Sequence, residues 1–270
     1  MTTPHPDTHQ AHEVLSANQR FYEAIAGVYD AVDSRRNAGE EHRWVTDILA
    51  REREALIQRQ GRPAASLRLV DAGAGSGFLG VRASELFQQP ILVDISPAML
   101  RRIALPGALK LAADCAHLPL ANASVDMVGA FATLHHLHSV EPFFEEALRV
   151  LRPGGVLYCD HDIEAGFVRR FGLPLRAYRL CFDHGRDYLR ACPSATQRDY
   201  ELSEFHGGRG LSGPTLVAAL ERIGFGAVTA TYHWEGMGLP ATLLEHLGLK
   251  RLASRRGFAP ILRLIARKAS

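Results

Sequence analysis

The residues best placed to do chemistry begin with the stretch VDAGAGSGFLG, Val70 to Gly80. An apolar segment, Leu67 to Val70, leads into it, and an amphipathic run from Phe78 to Leu86 follows. A strand-to-helix turn with Gly73, Gly75 and Gly77 brings backbone N–H groups close to a ligand, because no Cβ atoms stand in the way. The amino end of the helix beyond favours negative charge, so a nucleotide is the natural occupant. The dinucleotide spacing G-x-G-x-x-G would need glycine where Phe78 stands. The pattern here is instead D-x-G-x-G-x-G, led by Asp71, with Ala74 between the first two glycines.

Two more acids fall at comparable places. Asp94 closes the apolar segment that starts at Ile91. A carboxylate there can accept hydrogen bonds from both hydroxyls of a ribose, each worth roughly 1.5–3 kcal/mol, and would repel a 2′-phosphate. Asp114, in Ala112-Ala113-Asp114-Cys115-Ala116, could accept from an adenine amino group. Any one of these acids could be a helix cap. Together, at the carboxyl ends of successive strands, they mark a single crevice of the kind open α/β sheets use for ligands.

Histidines supply the candidate bases. Leu134-His135-His136-Leu137-His138 follows an apolar strand, and an imidazole with a pKa near ~6.5 suits proton transfer at neutral pH. His136 is the first candidate and His135 the second; the alternative is that they only pack and brace their loop. Asp160-His161-Asp162 offers His161 beside two acids that could orient it, bind an amine, or serve as caps and ion-pair partners.

The elements that must position these groups alternate. Strands are expected over 67–71, 91–94, 108–112, 125–131 and 156–160. Helices are expected over 76–88, from Ser96-Pro97 onward, and over 140–151, where Arg152-Pro153-Gly154-Gly155 would stop the last one. Short turns between strands and helices imply a parallel sheet covered on both faces. Before this lies a helical stretch from Glu13 to Leu56, which Gly27 and Gly39 could divide, and a linker at 58–65. After it lies a polar-aromatic stretch to Gly210, helical in pieces, then a helix at 212–223, a strand at 227–234, a loop-and-helix segment, and a last strand at 261–267.

The bulk numbers permit this architecture and exclude others. A chain of 270 residues with 47% hydrophobic residues can hold one large α/β domain. A net charge of +2 calls for no polyanionic partner, and the basic excess from Lys250 to Lys268 reads as a solvated face. Cys115, Cys159, Cys181 and Cys192 show neither zinc-site nor disulfide spacing, which suits a reducing cytoplasm and predicts no metal. No apolar run reaches the ~18 residues of a membrane span, and the N-terminus lacks a signal pattern. Residues 1–12 read as a flexible tail, 13–60 as a helical cap, and 61–270 as the main domain, with an insertion at about 164–210.

Four stretches, LVDAGAGSGFLG, LVDISPAMLRRI, ADCAHLPLANASVDMVGAFATLHHL and FFEEALRVLRPGGVLYCD, carry a resemblance. In content, order and spacing they resemble the class I S-adenosylmethionine-dependent methyltransferases, in particular the small-molecule group that includes the ubiquinone/menaquinone enzymes. The resemblance covers Phe21 to Phe167 well and continues more loosely to Arg267. It implies a Rossmann-like, mostly parallel seven-stranded sheet with an antiparallel last strand, helices on both faces, an N-terminal helical cap and a substrate-covering insertion after strand five. It implies S-adenosylmethionine as the methyl donor, with S-adenosylhomocysteine as product. Gly73, Ala74, Gly75 and Gly77 would pass under the methionine part, and Asp71 would support that loop. Asp94 would hold the ribose and Ile95 would pack on adenine. Asp114 and Cys115 would meet the adenine edge, and backbone at Ala130 and Phe131 would receive the methionine amino group. RFYEAIAGVYD resembles the helix that caps the cofactor, with Tyr22 and Tyr29 closing the pocket.

The expected reaction is methyl transfer to a small-molecule oxygen, nitrogen or carbon acceptor, with His136, His135 or His161 as possible base. The alternative is a protein that binds S-adenosylmethionine without methylating. A nucleic-acid or protein substrate would be expected to bring an N/D-P-P-Y/F motif where Phe131-Ala132-Thr133-Leu134 stands. Arsenite methylation would need a thiolate trio at another spacing, and nicotinamide chemistry would need glycine at Phe78. Whether the chain is a monomer or a homodimer stays open.

Overall fold

The computed structural model describes residues 6–32, 43–181, 184–237 and 239–269; the proposed helix break at Gly39 and the start of the expected tail lie outside them. Seven strands form one sheet: β1 (Arg68–Ala72), β2 (Gln88–Asp94), β3 (Leu109–Ala112), β4 (Val125–Phe131), β5 (Leu151–Ile163), β6 (Phe225–His233) and β7 (Ile261–Lys268). Their order is β3-β2-β1-β4-β5-β7-β6. The first five are parallel, and β7 runs antiparallel between β5 and β6. The chain winds outward from β1 in one direction and from β4 in the other. The crevice at the carboxyl ends of these two neighbours is therefore the topological switch point, where α/β sheets bind ligands.

The strands alternate in what they bury. Leu69, Met127, Val156 and Tyr158 face α3 (Arg43–Gln60) and α4 (Phe78–Ala83), against Val45, Leu49, Leu56 and Leu79. Val70, Val128, Ala130 and Leu157 point the other way, onto α6 (Glu141–Val150) and α11 (Gly213–Ile223), against Phe143, Phe144, Ala147, Leu216 and Leu220. Both faces are apolar, as a sheet sandwiched between helices requires. α5 (Pro97–Arg102) starts as its sequence implies: Ser96 Oγ accepts from Met99 N at 3.2 Å and Pro97 takes the first helical position.

Some boundaries differ from expectation. α1 spans Pro6–Ile25, so most of the stretch read as a tail is helix. α1 ends in a turn around Gly27 before α2 (Tyr29–Val32). α4 is short because the chain enters β2 already at Gln88. The Arg152–Gly155 stop lies inside β5: Val125 pairs with Leu151 and Met127 with Val156, so the four residues between bulge from the ladder. The insertion is four helices, α7 (Ala165–Arg170), α8 (Gly172–Cys181), α9 (His184–Ala191) and α10 (Gln197–Ser203). Two more, α12 (Leu239–His246) and α13 (Lys250–Ala253), precede β7. Among the described residues no helix is long and apolar enough to cross a membrane.

Three strands are tied at their ends by one carboxylate. Asp160 of β5, fully buried, accepts from Tyr158 Oη at 2.8 Å, from Arg263 Nε of β7 at 2.5 Å, from His233 Nε2 of β6 at 2.9 Å and from His161 N at 2.6 Å. Burial alone would raise its pKa, but His233 and Arg263 outweigh it and hold the carboxyl below its ordinary 3.8. Asp160→Ala is therefore expected to cost about 3–5 kcal/mol, since Arg263 and His233 lose a buried partner. The native contribution is present above pH 3.8 and lost as pH falls through the depressed folded value. Denaturant titrations from pH 3 upward (roughly pH 3–7) would check both, with Asp160→Asn showing a flatter acid limb.

Candidate active site

The glycine turn is built from left-handed backbone: φ is +72° at Gly73, +51° at Gly75 and +85° at Gly77. Backbone carbonyls and two carboxylates hold it. Gly73 N and Ala74 N both donate to Val93 O at 2.9 Å. Asp94 Oδ2 accepts from Gly75 N at 2.7 Å while Oδ1 accepts from Ser96 N at 2.8 Å. Asp71, buried beneath, accepts from Gly80 N at 2.8 Å and anchors the first turn of α4. Burial raises the pKa of Asp94, and the Ser96 and Gly75 amides oppose that rise. A carboxylate has about four lone-pair positions, so both oxygens of Asp94 keep capacity for further donors.

Above the turn lies a cavity of about 390 Å³, within the ~300–1,000 Å³ typical of small-molecule sites. Its walls include Tyr22, Tyr29, Gly73, Ala74, Gly75, Asp94, Ile95, Asp114, Cys115, Phe131, His136 and His161. Twelve expected site residues thus meet in one space. Asp71, Gly77 and Ala130 do not line it; they shape the loop from below. His135 also stays outside it, with Nδ1 on Asp162 Oδ1 at 2.8 Å. Asp114 Oδ1 accepts from Ala116 N at 2.9 Å. Burial pushes the Cys115 thiol pKa up, so it stays protonated.

His136 is held in one tautomer. Its Nδ1 lies 2.6 Å from the Ser203 carbonyl, which can only accept, so Nδ1 carries the proton. Nε2 then accepts from the Tyr22 hydroxyl at 3.1 Å. Burial, helped by neighbouring His135, lowers the His136 pKa to about 4, so the ring is neutral at physiological pH. Burial also raises the Tyr22 pKa well above its usual value, so that hydroxyl keeps its proton. His161 differs: its ring stacks on Phe131 with centroids 4.7 Å apart, and Phe131 stacks on Phe78 at 4.4 Å.

Several wall residues were not anticipated. Ala11, His12, Val14, Leu15 and Asn18 of α1 line the cavity; Ala11 and His12 belong to the part of the helix that precedes the expected start at Glu13, and Val14, Leu15 and Asn18 lie in the expected helix but carry no site motif. Asn18 Nδ2 donates to the His136 carbonyl at 3.1 Å. Glu23 crosses to α5, accepting from Ser96 Oγ at 2.8 Å and Ala98 N at 3.1 Å. Thr133 packs directly under Gly73. Its position right after β4 is the signal that could have found it. Asp160 and Asp162 do not line the cavity; both are spent on the scaffold.

Known proteins share these features. A family described as "Methyltransferase domain" matches residues 70–159, the stretch from β1 to β5 that builds the cavity floor. A protein of Mycolicibacterium smegmatis named "probable S-adenosylmethionine-dependent methyltransferase" is 28% identical over 77% of this chain and 69% of its own length. The ubiquinone/menaquinone biosynthesis C-methyltransferase of Acidiphilium cryptum is 28% identical over 52% of this chain and 57% of its own. The match therefore spans little more than half of that second relative. The crystal structure of an S-adenosylmethionine-dependent methyltransferase from Mesorhizobium loti superposes with a TM-score of 0.52, covering 80% of this chain and 96% of that one at 22% identity, and supports the fold.

The tightness of the turn gives a test. A Cβ on Gly73 would lie 2.4 Å from Thr133 Cγ2 and 2.6 Å from its Oγ1, at a φ of +72°. Gly73→Ala is expected to cost about 1–3 kcal/mol from backbone strain, with the clash added. Thr133→Ala should return the clash part alone, so a double-mutant cycle by denaturant unfolding should show favourable coupling between the two changes.

Proposed function

We propose that the chain is a class I S-adenosylmethionine-dependent methyltransferase that methylates a small, largely apolar acceptor, with His136 receiving the acceptor's proton. One observation carries this reading: the glycine turn, Asp94, Asp114 and His136, hydrogen-bonded to Tyr22, converge on one cavity whose remaining lining is mostly rings and aliphatic side chains, with a few hydroxyl and amide groups such as Ser76, Ser139 and Asn18. The residues fit the donor. In this reading Gly73 to Gly77 pass under its methionine part, and backbone at Phe131 meets the amino group, with Ala130, which does not line the cavity, behind it. Asp94 takes the ribose hydroxyls, Ile95 lies on the adenine, and Asp114 and Cys115 meet the adenine edge.

S-adenosylmethionine supplies a methyl group on a sulfonium that departs as a neutral thioether, so no acid is needed at the leaving group. The chain's own work is placement and dryness. Proximity and orientation can supply ~7–11 kcal/mol of the barrier. Tyr22, Tyr29, Leu15 and Val14 close the space from above, while Phe78, Phe131 and His161 wall it. In this reading the acceptor's proton reaches His136 Nε2 through the Tyr22 hydroxyl: Tyr22 Oη, already donating to Nε2 at 3.1 Å, gives up its proton there and takes the acceptor's, while the Nδ1 bond to Ser203 keeps Nε2 the basic nitrogen. A hydroxyl acceptor becomes strongly acidic as its bond to carbon forms, so even a weakly basic imidazole can take the proton. The same proton transfer suits methylation of a carbon activated by a neighbouring hydroxyl; carbon is the methylated atom named for the Acidiphilium cryptum relative.

The rival is a protein that binds the sulfonium without turning it over. Calorimetry with S-adenosylmethionine and, as control, NADH separates the cofactors; release of S-adenosylhomocysteine with an acceptor panel separates enzyme from scaffold. Asp94→Ala should weaken S-adenosylmethionine binding about 10–150-fold, the loss of one to two charge-assisted hydrogen bonds. His136→Asn should leave that affinity near wild type and lower kcat about 10²–10⁴-fold. An unchanged kcat would remove His136 from the reaction, and binding of NADH alone would overturn the whole assignment.

A further inference from the structure

We propose that His135, His136 and Glu204 form a site for a zinc-type transition-metal dication at the junction of the insertion and the crevice rim. One ligand atom from each lies within 4.8 Å of the others. His135 Nε2 and Glu204 Oε2 are 3.9 Å apart, as are His136 Nδ1 and Glu204 Oε1. Ligands bound at ~2.0–2.1 Å around a tetrahedral ion stand roughly 3.3–3.4 Å apart. The two imidazole–carboxylate pairs need to close by about half an ångström and the farthest pair of ligand atoms by up to about 1.4 Å, a shift that side-chain rotation can supply.

A buried carboxylate already orients the first ligand. Asp162, only 1% exposed, accepts from His135 Nδ1 at 2.8 Å and from His135 N at 3.0 Å, both through Oδ1. This fixes the proton on Nδ1 and makes Nε2, the nitrogen turned toward Glu204, the one with a lone pair. Carboxylate to imidazole to metal is the arrangement by which second-sphere acids set the tautomer and raise the basicity of metal-bound histidines. Asp162 Oδ2 is buried with no hydrogen-bond partner among the described residues, so the carboxylate is not neutralised by a neighbouring donor on that side. Backbone braces the same junction: His206 N donates to His135 O at 2.8 Å, just beyond Glu204.

The donor set selects the ion. Two imidazole nitrogens and one carboxylate suit zinc and its neighbours, whereas magnesium and calcium prefer all-oxygen sites. Three protein ligands leave a fourth position for water. For His136 the ion takes the place of the Nδ1 proton and of the bond to the Ser203 carbonyl. The neutral imidazole then carries its proton on Nε2, which donates to Tyr22 rather than accepting from it. Metal binding thus removes the Nε2 lone pair that accepts from the Tyr22 hydroxyl. That last consequence rests on the methyl-transfer reading; the binding itself does not.

The test uses the full chain stripped with chelator and titrated calorimetrically with Zn²⁺, with Mg²⁺ as control and Co²⁺ absorption reporting geometry. One zinc per chain, tetrahedral cobalt bands and no magnesium binding are expected. Glu204→Gln, near-isosteric and half-buried, should weaken zinc binding at least 10-fold without shifting the metal-free melting temperature. Asp162→Asn should weaken it about 10–100-fold. Absence of zinc binding, or equal affinity in the His135→Ala, Glu204→Gln double variant, would overturn the site. If the site is real and the enzyme reading correct, zinc will repress S-adenosylhomocysteine release in wild type and not in Glu204→Gln. Binding without any turnover to repress would refute the function and leave the metal site standing.

Discussion

The Asp94 carboxylate is the constraint on which the binding crevice depends. Three left-handed glycines cannot hold a turn by themselves, because glycine gives up more backbone freedom on ordering than any other residue. Asp94 fastens the middle of the turn through Gly75 N and fastens the start of the next helix through Ser96 N. The turn and the β2–α5 junction thereby become one rigid unit. Asp71 does the same one layer down, through Gly80 N. Both acids are buried, and both accept hydrogen bonds from backbone amides. The cavity is lined by the Asp94 and Asp114 carboxylates, which suit hydroxyls and amines as partners.

The roof is attached to that floor by polar contacts at α1. Glu23 reaches Ser96 and Ala98, adding a second acceptor at the amino end of α5. Arg20 bonds Asp199 of α10 at 2.6 Å, and Asn18 reaches the His136 carbonyl. Phe21, Tyr188 and Cys192 bury themselves between α1 and the insertion. These exposed ion pairs are individually weak, so the apolar contacts give the roof most of its hold and the polar ones its register.

The two histidine clusters show how environment separates residues of the same type. His136 is desolvated and locked between Ser203 and Tyr22. His135 belongs to Asp162, and His161 lies flat on Phe131 with a positive φ of +71°. Asp160 is enclosed by Arg263, His233 and Tyr158, a network that holds β5, β7 and β6 together where their ends approach the crevice. Of the three, His136 both lines the cavity and has its tautomer fixed, with Nε2 accepting from the Tyr22 hydroxyl.

Much of this was legible in the residues themselves. The alternation of strands and helices, the glycine turn, the acids ending β1 and β2 and the Ser96-Pro97 helix start depend on local backbone chemistry and periodicity, and these leave a direct mark on sequence. The start of α1 at Pro6 was not legible, because a polar helix that gains its stability by packing on α10 has no strong signal of its own. The bulge at 152–155 depends on the pairing of β4 with β5, which no local pattern encodes. The sequence by itself determined the alternation of strands and helices and the glycine turn after β1, since both follow from residue type and spacing. Only the tertiary structure decided which of the candidate histidines line the cavity, that Asp160 braces strands, and that Glu204 comes to His135 and His136. Those outcomes depend on contacts between residues far apart in the chain, where burial and partners, rather than residue identity, set the chemistry.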